Sequence, residues 1–218
     1  MWESIGDPLR GQIVILERLT AAHRDGLWAA AAGDPHVWDW MHIRAGDSSE
    51  LFERWFLETL QLDAEGVHVP FATLDTRTAA PIGSTRYLGL RPADRSLEIG
   101  GTWVSSSAWG TGANVEAKLL MMRRAFEELG CLRVEFKTDA LNERSRAALA
   151  ALPARFEGIH RKHMLVRGGE RRDSAWYSVI DDEWPAVQES LERRLARAKD
   201  ADGHGEGHAR GQTPAWSS

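Results

Sequence analysis

The stretch Trp103-Val-Ser-Ser-Ser-Ala-Trp-Gly-Thr-Gly-Ala-Asn-Val-Glu-Ala-Lys118 holds the residues best spaced for chemistry. It reads as the end of a strand, a loop punctuated by Gly110 and Gly112, and the first turn of a helix. A helix start leaves backbone N–H groups unpaired and carries the positive end of the helix dipole. A phosphate suits that place. Two phosphate-binding loops are excluded by spacing. No Gly-Lys-Ser/Thr follows, as a Walker loop needs, and no G-x-G-x-x-G opens a βαβ series. A Gly-Thr-Gly loop is also simply a tight turn before a helix. The motif alone leaves a phosphate cradle and a plain turn both open.

Proton-transfer chemistry has three candidates. Glu98 lies two residues before Gly100-Gly101 in a strand-like run, Leu97 to Val104. If buried, its carboxyl would have a raised pKa and could accept a proton directly or through water. If it faces solvent, it is an ordinary strand residue. His160 and His163 titrate near neutrality and are its rivals, although their setting reads as surface. Cys131 is the lone cysteine, so no internal disulfide forms, and it reads as a small buried hydrophobe. His204 and His208 stand in a glycine-rich run that forms no prepared metal site, and no metal is expected.

These groups need elements to hold them. Ile13–Leu16 reads as a short strand, and Thr20 caps a helix that Gly33-Asp-Pro35 ends. Ser48 or Ser49 caps a second helix, Glu50–Leu62, and the two helices could wall a cleft. Val69–Leu74 and Pro81–Leu88 form a hairpin, followed by the strand Leu97–Val104. The paired glycines Gly100 and Gly101 suggest a bulge or a close backbone approach. Asn114–Leu129 is the strongest helix, with Val115, Leu119, Met122, Phe126 and Leu129 on one face and Gly130 as its stop. Then come a strand at Leu132–Thr138, a helix capped by Asn142 and running through Ala151, a strand at Arg155–Val166, a return strand at Arg172–Ile180, and a helix from Asp181–Pro185 to about Ala198. This order is an α/β domain with a mixed, mostly antiparallel sheet flanked by helices. Residues 1–198 form one domain and 199–218 a disordered tail.

In these surroundings the glycine loop acquires a resemblance. Trp109-Gly-Thr-Gly-Ala-Asn114 with Glu116-Ala117 resembles the pyrophosphate loop of the GNAT superfamily of N-acetyltransferases, in its ribosomal-protein-alanine acetyltransferase-like (RimJ/RimL-type) branch. Asp34-Pro-His-Val-Trp38, Pro81-Ile-Gly-Ser84, Leu97-Glu-Ile-Gly100, Asn142-Glu-Arg-Ser145, Arg172-Asp173 and Tyr177 are similar to further blocks of that branch, in order, over roughly residues 10–195.

The resemblance implies a sheet splayed at the cofactor strand. It also implies transfer of an acetyl group from acetyl-CoA to a primary amine by direct attack. The amine could belong to a protein N-terminus, an amino-acid- or peptide-like molecule, or an amino sugar. Trp103, Val104 and Ser105 would pair with the pantetheine. Gly110, Thr111, Gly112, Ala113 and Asn114 would hold the pyrophosphate, with Lys118 reaching a phosphate or standing solvated. Asn142 would bond the pantetheine arm, cap its helix, or both. Glu98 would be the base and Ser145 the acid, with Tyr177 as runner-up. Three departures stand out: Asn114 in place of Gly or Ala, where it could serve as an N-cap; Pro153 in place of Gly; and Gly101 in place of a large aromatic, where it could enlarge the acceptor cleft. Asn114 and the missing aromatic at Gly101 keep open an alternative, an acyl-CoA-binding module or sensor without turnover. A nucleotide binder with no acyl chemistry is a third reading.

Composition sets the outer bounds. A net charge of −5 argues against a surface that coats nucleic acid. No apolar run approaches the roughly 20 residues of a membrane span, and the N-terminus does not read as a signal peptide. A cytoplasmic location is expected. Ten tryptophans suit core and cleft walls, with a homodimer face compatible. Trp38, Trp40 and Trp55, with the acidic balance, point toward a cationic or aromatic acceptor.

Overall fold

The computed structural model describes residues 2–203. In chain order the elements are β1 (Leu9–Arg10), β2 (Val14–Arg18), α1 (Arg24–Ala32), α2 (Ser49–Ala64), β3 (Val69–Asp75), β4 (Pro81–Arg91), β5 (Ser96–Val104), α3 (Ala113–Arg123), β6 (Arg133–Asp139), α4 (Glu143–Ala151), β7 (Arg155–Val166), β8 (Glu170–Ile180) and α5 (Trp184–Gly203). β1 was not anticipated, because two residues are too short to show a period. α5 extends to Gly203, past the expected stop near Ala198. The rest of the proposed tail, with His204 and His208, lies outside the described residues.

The strands form an 8-stranded sheet in the order β1-β2-β3-β4-β5-β6-β8-β7. Every pairing is antiparallel except β5 with β6. Parallel neighbours need a crossover, and α3 supplies it. Leu97 and Ile99 alternate with Glu98, so the apolar pair faces the core under α3 and α5 while the carboxylate faces the side of α1 and α2. On that second side Trp38, Trp55, Trp103, Phe52 and Phe56 pack together, with Trp38 and Trp103 ring centroids 4.7 Å apart. Removing Trp55 to Ala should lower unfolding free energy by about 3–5 kcal/mol in denaturant titration.

The sheet opens at one place. β5 pairs with β6 only over Ser96–Glu98 against Arg133–Glu135, yet it stays paired to β4 as far as Val104. Gly101 sits at a bulge opposite Thr85, with φ 56°. A bulge bends its strand and adds twist, which carries the second half of β5 away from β6. The glycine pair thus has the backbone role its spacing suggested.

Capping follows the sequence closely. Ser48 Oγ accepts from Leu51 N–H at 3.2 Å and starts α2. Before α1, Thr20 N–H donates to His23 Nδ1 at 3.1 Å, with His23 in the place a capping-box Glu usually takes. α3 continues through a wider π-helical turn, Arg124–Glu128, and Gly130 turns the chain with φ 65°. At its other end, buried Glu116 accepts three backbone N–H bonds, from Gln12 at 2.9 Å, Ile13 at 2.6 Å and Val14 at 2.8 Å. This clamp fixes the first turn of α3 against the start of β2.

Candidate active site

Where β5 and β6 part, a cavity of about 800 Å³ opens. One wall is the bulged half of β5, and another is Phe136–Thr138 of β6. The loop before α3 and the start of α4 close one end, and α2 with His42, His68 and Arg86 closes the other.

At the loop end, Gly110 and Gly112 adopt φ 79° and 87°, left-handed values that glycine takes without a Cβ clash. Gly112 is the N-cap of α3. Asn114 therefore does not cap the helix, as its amide chemistry suggested; it lies inside the first turn. Its Oδ1 is buried without a partner, and the residue lines the cavity. Thr111 and Ser105 do not line it. Thr111 Oγ1 donates to Ala108 O at 2.8 Å and accepts from Ala113 N–H at 3.3 Å, so it shapes the loop from within. Ser105 N–H donates to Ile82 O at 2.8 Å, and its hydroxyl pairs with that of Ser107 at 2.9 Å. Trp103, Val104, Trp109, Gly110, Gly112 and Ala113 do line the cavity. The Val104 carbonyl already accepts from Trp109 Nε1 at 3.0 Å. Arg144 of α4 lies over the Trp109 ring at 3.8 Å, linking loop and helix.

Lys118, one turn into α3, is not a solvated helix lysine. It lines the cavity 5.3 Å over the Phe136 ring and makes no hydrogen bond or ion pair among the described residues. Burial pushes its ammonium pKa down to about 8. Asn142 caps α4, its Oδ1 accepting from Ser145 N–H at 3.0 Å, and both residues face the cavity.

Midway along the cavity, Glu98 is buried and accepts from Lys137 Nζ at 2.7 Å. A Cβ on Gly100 would stand 2.7 Å from Glu98 Oε1, so glycine there leaves the carboxylate its place. Burial raises the Glu98 pKa, and the Lys137 charge opposes that rise. Neighbouring Glu135 is occupied by Arg91 at 2.7 Å and Arg133 at 2.9 Å.

The other proton-transfer candidates lie elsewhere. His160 and His163 are exposed on β7. His160 stacks on Trp176 at 4.8 Å, and His163 Nδ1 is 3.1 Å from Ser174 Oγ. Tyr177 is buried, with its hydroxyl accepting from Arg146 Nε at 3.3 Å, and does not line the cavity. Cys131 is buried and its thiol is pushed up to about 11, as an inert core residue should be.

The far wall went unread in the sequence. His42, Glu58, His68 and Arg86 come from separate elements and share no motif. Burial, with the Arg86, Lys137 and His42 charges adding to it, pushes His68 down to about 4, so it is neutral at pH 7. Trp38 and Trp55 are fully buried, and the cation over the Trp55 ring, at 5.8 Å, is the chain's own Arg86. These two offer no open face for a cationic acceptor, whereas Trp40 lines the cavity. Gly101 does not enlarge the cleft either. A Cβ there would fall 2.6 Å from Arg86 Nε, so the guanidinium fills the space.

A split parallel pair, a glycine loop at a helix start and a buried carboxylate in one cavity define an acyltransferase scaffold. The family model for the acetyltransferase (GNAT) domain matches residues 14–154, and the chain belongs to that family. Members of the family transfer acetyl groups from acetyl-CoA. The GCN5-related N-acetyltransferase from Brucella melitensis is 32% identical, with a TM-score of 0.81 over 87% of this chain and 86% of that one. RimJ of Mycobacterium smegmatis, solved with CoA-disulfide, is 23% identical, with a TM-score of 0.70 over 88% and 93% of the two chains. The ribosomal-protein-S5-alanine acetyltransferase from Vibrio fischeri is 21% identical, with a TM-score of 0.61 over 81% and 98%. With these last two the similarity is one of fold. No curated protein matches the chain. Among the described residues no cluster suits a metal ion, and no helix is long and apolar enough to cross a membrane.

Proposed function

We propose that this chain moves the acetyl group of acetyl-CoA to a primary amine in a ternary complex. The observation that carries the reading is the single cavity joining the parted β5–β6 edge, the glycine loop and buried Glu98. Past Glu98, the edge of β5 that faces β6 has no strand partner among the described residues, which suits an extended pantetheine. The N–H groups of Gly110, Gly112 and the first turn of α3 suit the pyrophosphate. Lys118 and the Asn114 amide supply unpaired polar groups to the same end.

Glu98 removes a proton from the acceptor ammonium, directly or through water. The freed nitrogen attacks the thioester carbonyl, a C–N bond forms and the C–S bond breaks. The departing thiolate takes the second proton, which the attacking nitrogen loses as the amide forms, with the cavity-lining hydroxyl of Ser145 as relay; Tyr177, outside the cavity, drops behind it. Holding both substrates in register does much of the work, so loss of the acid alone should be tolerated. A cytoplasmic setting and a homodimer are compatible with this reading.

The test is thiol release from acetyl-CoA across a panel of amines, with mass detection of the product. Tight CoA binding with no thiol released by any amine would instead favour the non-catalytic module. Stabilisation by ATP but not by CoA would favour a nucleotide binder.

Lys118 gives a separate expectation. Its folded pKa of about 8 lies below the ordinary 10.5. Between those values the unfolded chain holds more protons, so ligand-free stability rises with pH across that window. Lys118→Met should remove this rise and stabilise the free protein at pH 7 by on the order of 1–3 kcal/mol. It should also weaken CoA about tenfold. Denaturant titrations at several pH values and calorimetric CoA binding check both effects.

A further inference from the structure

The far end of the cavity holds a buried charge that no hydrogen bond or ion pair among the described residues meets. Arg86 is 4% exposed, and its Nε is buried without a hydrogen-bond partner. Among the described residues its guanidinium makes no hydrogen bond or ion pair. It lies across Gly101 of β5 and over the Trp55 ring, facing the cavity. The carboxylate within its electrostatic reach is Glu58, whose side chain is 44% exposed and which stands 3.8 Å from His42. Arg172, on the same cavity, has a second buried Nε without a partner.

A buried guanidinium cannot shed its charge near neutral pH, and burying it unpaired is costly. Its planar donors match a carboxylate bidentately. The fold keeps this group desolvated, and it keeps a left-handed glycine opposite to make room for it.

We infer that Arg86 anchors a carboxylate carried by the acceptor, so the substrate is an amine that is also a carboxylic acid. This rests on the acetyltransferase reading and names the substrate class of that same site. Glu98, Lys137 and the split in the sheet handle the amine and thioester, and Arg86 fixes the acceptor's other end. A simple alkylamine, or an amino sugar without an acid group, lacks the matching charge. The carboxylate could be the α-carboxylate of a free amino acid or an acidic side chain near a peptide N-terminus. The chemistry at Arg86 is the same.

The test titrates the full chain, with CoA present, against three probe sets that imitate the acetylated product. These are N-acetyl amino acids with free carboxylates, their primary amides, and N-acetyl-glycyl-aspartyl peptides with amidated C-termini. Acids should bind about 10- to 100-fold more tightly than amides, the range for a hydrogen bond to a charged group. In Arg86→Gln that ratio should collapse toward one, and Arg86→Lys should keep part of it. Thermal unfolding and CoA titration of each variant establish that it is folded.

Preference for the free amino acids assigns the α-carboxylate, and preference for the aspartyl peptide assigns the side chain; either supports the proposal. Equal binding of acids and amides by the unaltered protein overturns it, as does an acid preference that survives Arg86→Gln. Failure of the parent reading looks different. Acid-selective binding without thiol release from any amine would remove the catalytic reading and leave the anion site standing. Thiol release that ignores the carboxylate would do the reverse.

Discussion

Replacing Glu98 by Gln is expected to lower kcat/KM for the amine by about 10²- to 10⁴-fold near neutral pH, the range for loss of a general base. The glutamine keeps the shape of the side chain over Gly100 but cannot take a proton. The pH dependence carries the sharper test. Burial raises the Glu98 pKa, so the carboxylate forms, and the rate rises, as pH passes through that raised value. The variant should lose that limb of the profile. An unchanged profile would remove Glu98 from the mechanism.

Stability should move the other way. The folded protein holds the Glu98 proton to higher pH than the unfolded chain does. The wild type therefore loses stability as pH climbs from the ordinary 4.5 through the raised pKa, and Glu98→Gln does not. Lys137 loses its opposite charge in the variant but keeps an amide oxygen able to accept from its Nζ and the Trp176 ring at 5.4 Å. A deficit in rate without a fall in Tm separates chemistry from folding.

The largest effect on stability is expected from Glu116→Ala. It strips the acceptor from three backbone N–H groups, at Gln12, Ile13 and Val14. The Val14 N–H bond is buried and the other two are part-buried; an unsatisfied buried donor costs about 1–3 kcal/mol, so with the two wetter donors counted at the low end the loss should be about 3–6 kcal/mol in urea titration. Part of a domain's entire stability of roughly 5–15 kcal/mol goes with it. The effect should reach the site as well, because Glu116 holds the first turn of α3, where the glycine loop ends. CoA affinity should fall even under conditions where the variant remains folded. Glu116→Gln should recover some stability, since its one carbonyl oxygen still accepts while its NH₂ faces donors. If Glu116→Ala unfolds at the wild-type midpoint, the clamp is not holding the fold.

Local features were legible before the fold was known, because each depends on neighbours within a few residues. Ser48, Thr20 and Asn142 announced helix starts, and Gly130 announced a stop. β7 was read with the bounds it has, Arg155–Val166. The Gly100-Gly101 pair announced a bulge. The Gly-Thr-Gly run marks a loop before a helix, although side-chain propensity puts the cap at Asn114, two residues late. Gly112 caps through a left-handed backbone, a choice that side-chain propensity does not reveal.

The far wall was not legible. Arg86 reads as an ordinary charged residue in a strand, and only the register of β4 against β5 puts it across Gly101. Glu116 reads as a first-turn helix acid, well placed for the dipole, yet it serves a strand about a hundred positions away.

What the sequence by itself determined is most of the elements, the α/β class and the glycine loop at the start of α3, because capping, turns and periodicity are short-range. What only the tertiary structure decided is where charge is buried and against what. Desolvation depends on every group packed around a side chain. That is why Glu98 became a buried, raised carboxylate, Lys118 a cavity ammonium and Arg86 an unpaired cation, while His160, His163 and Tyr177 fell outside the site.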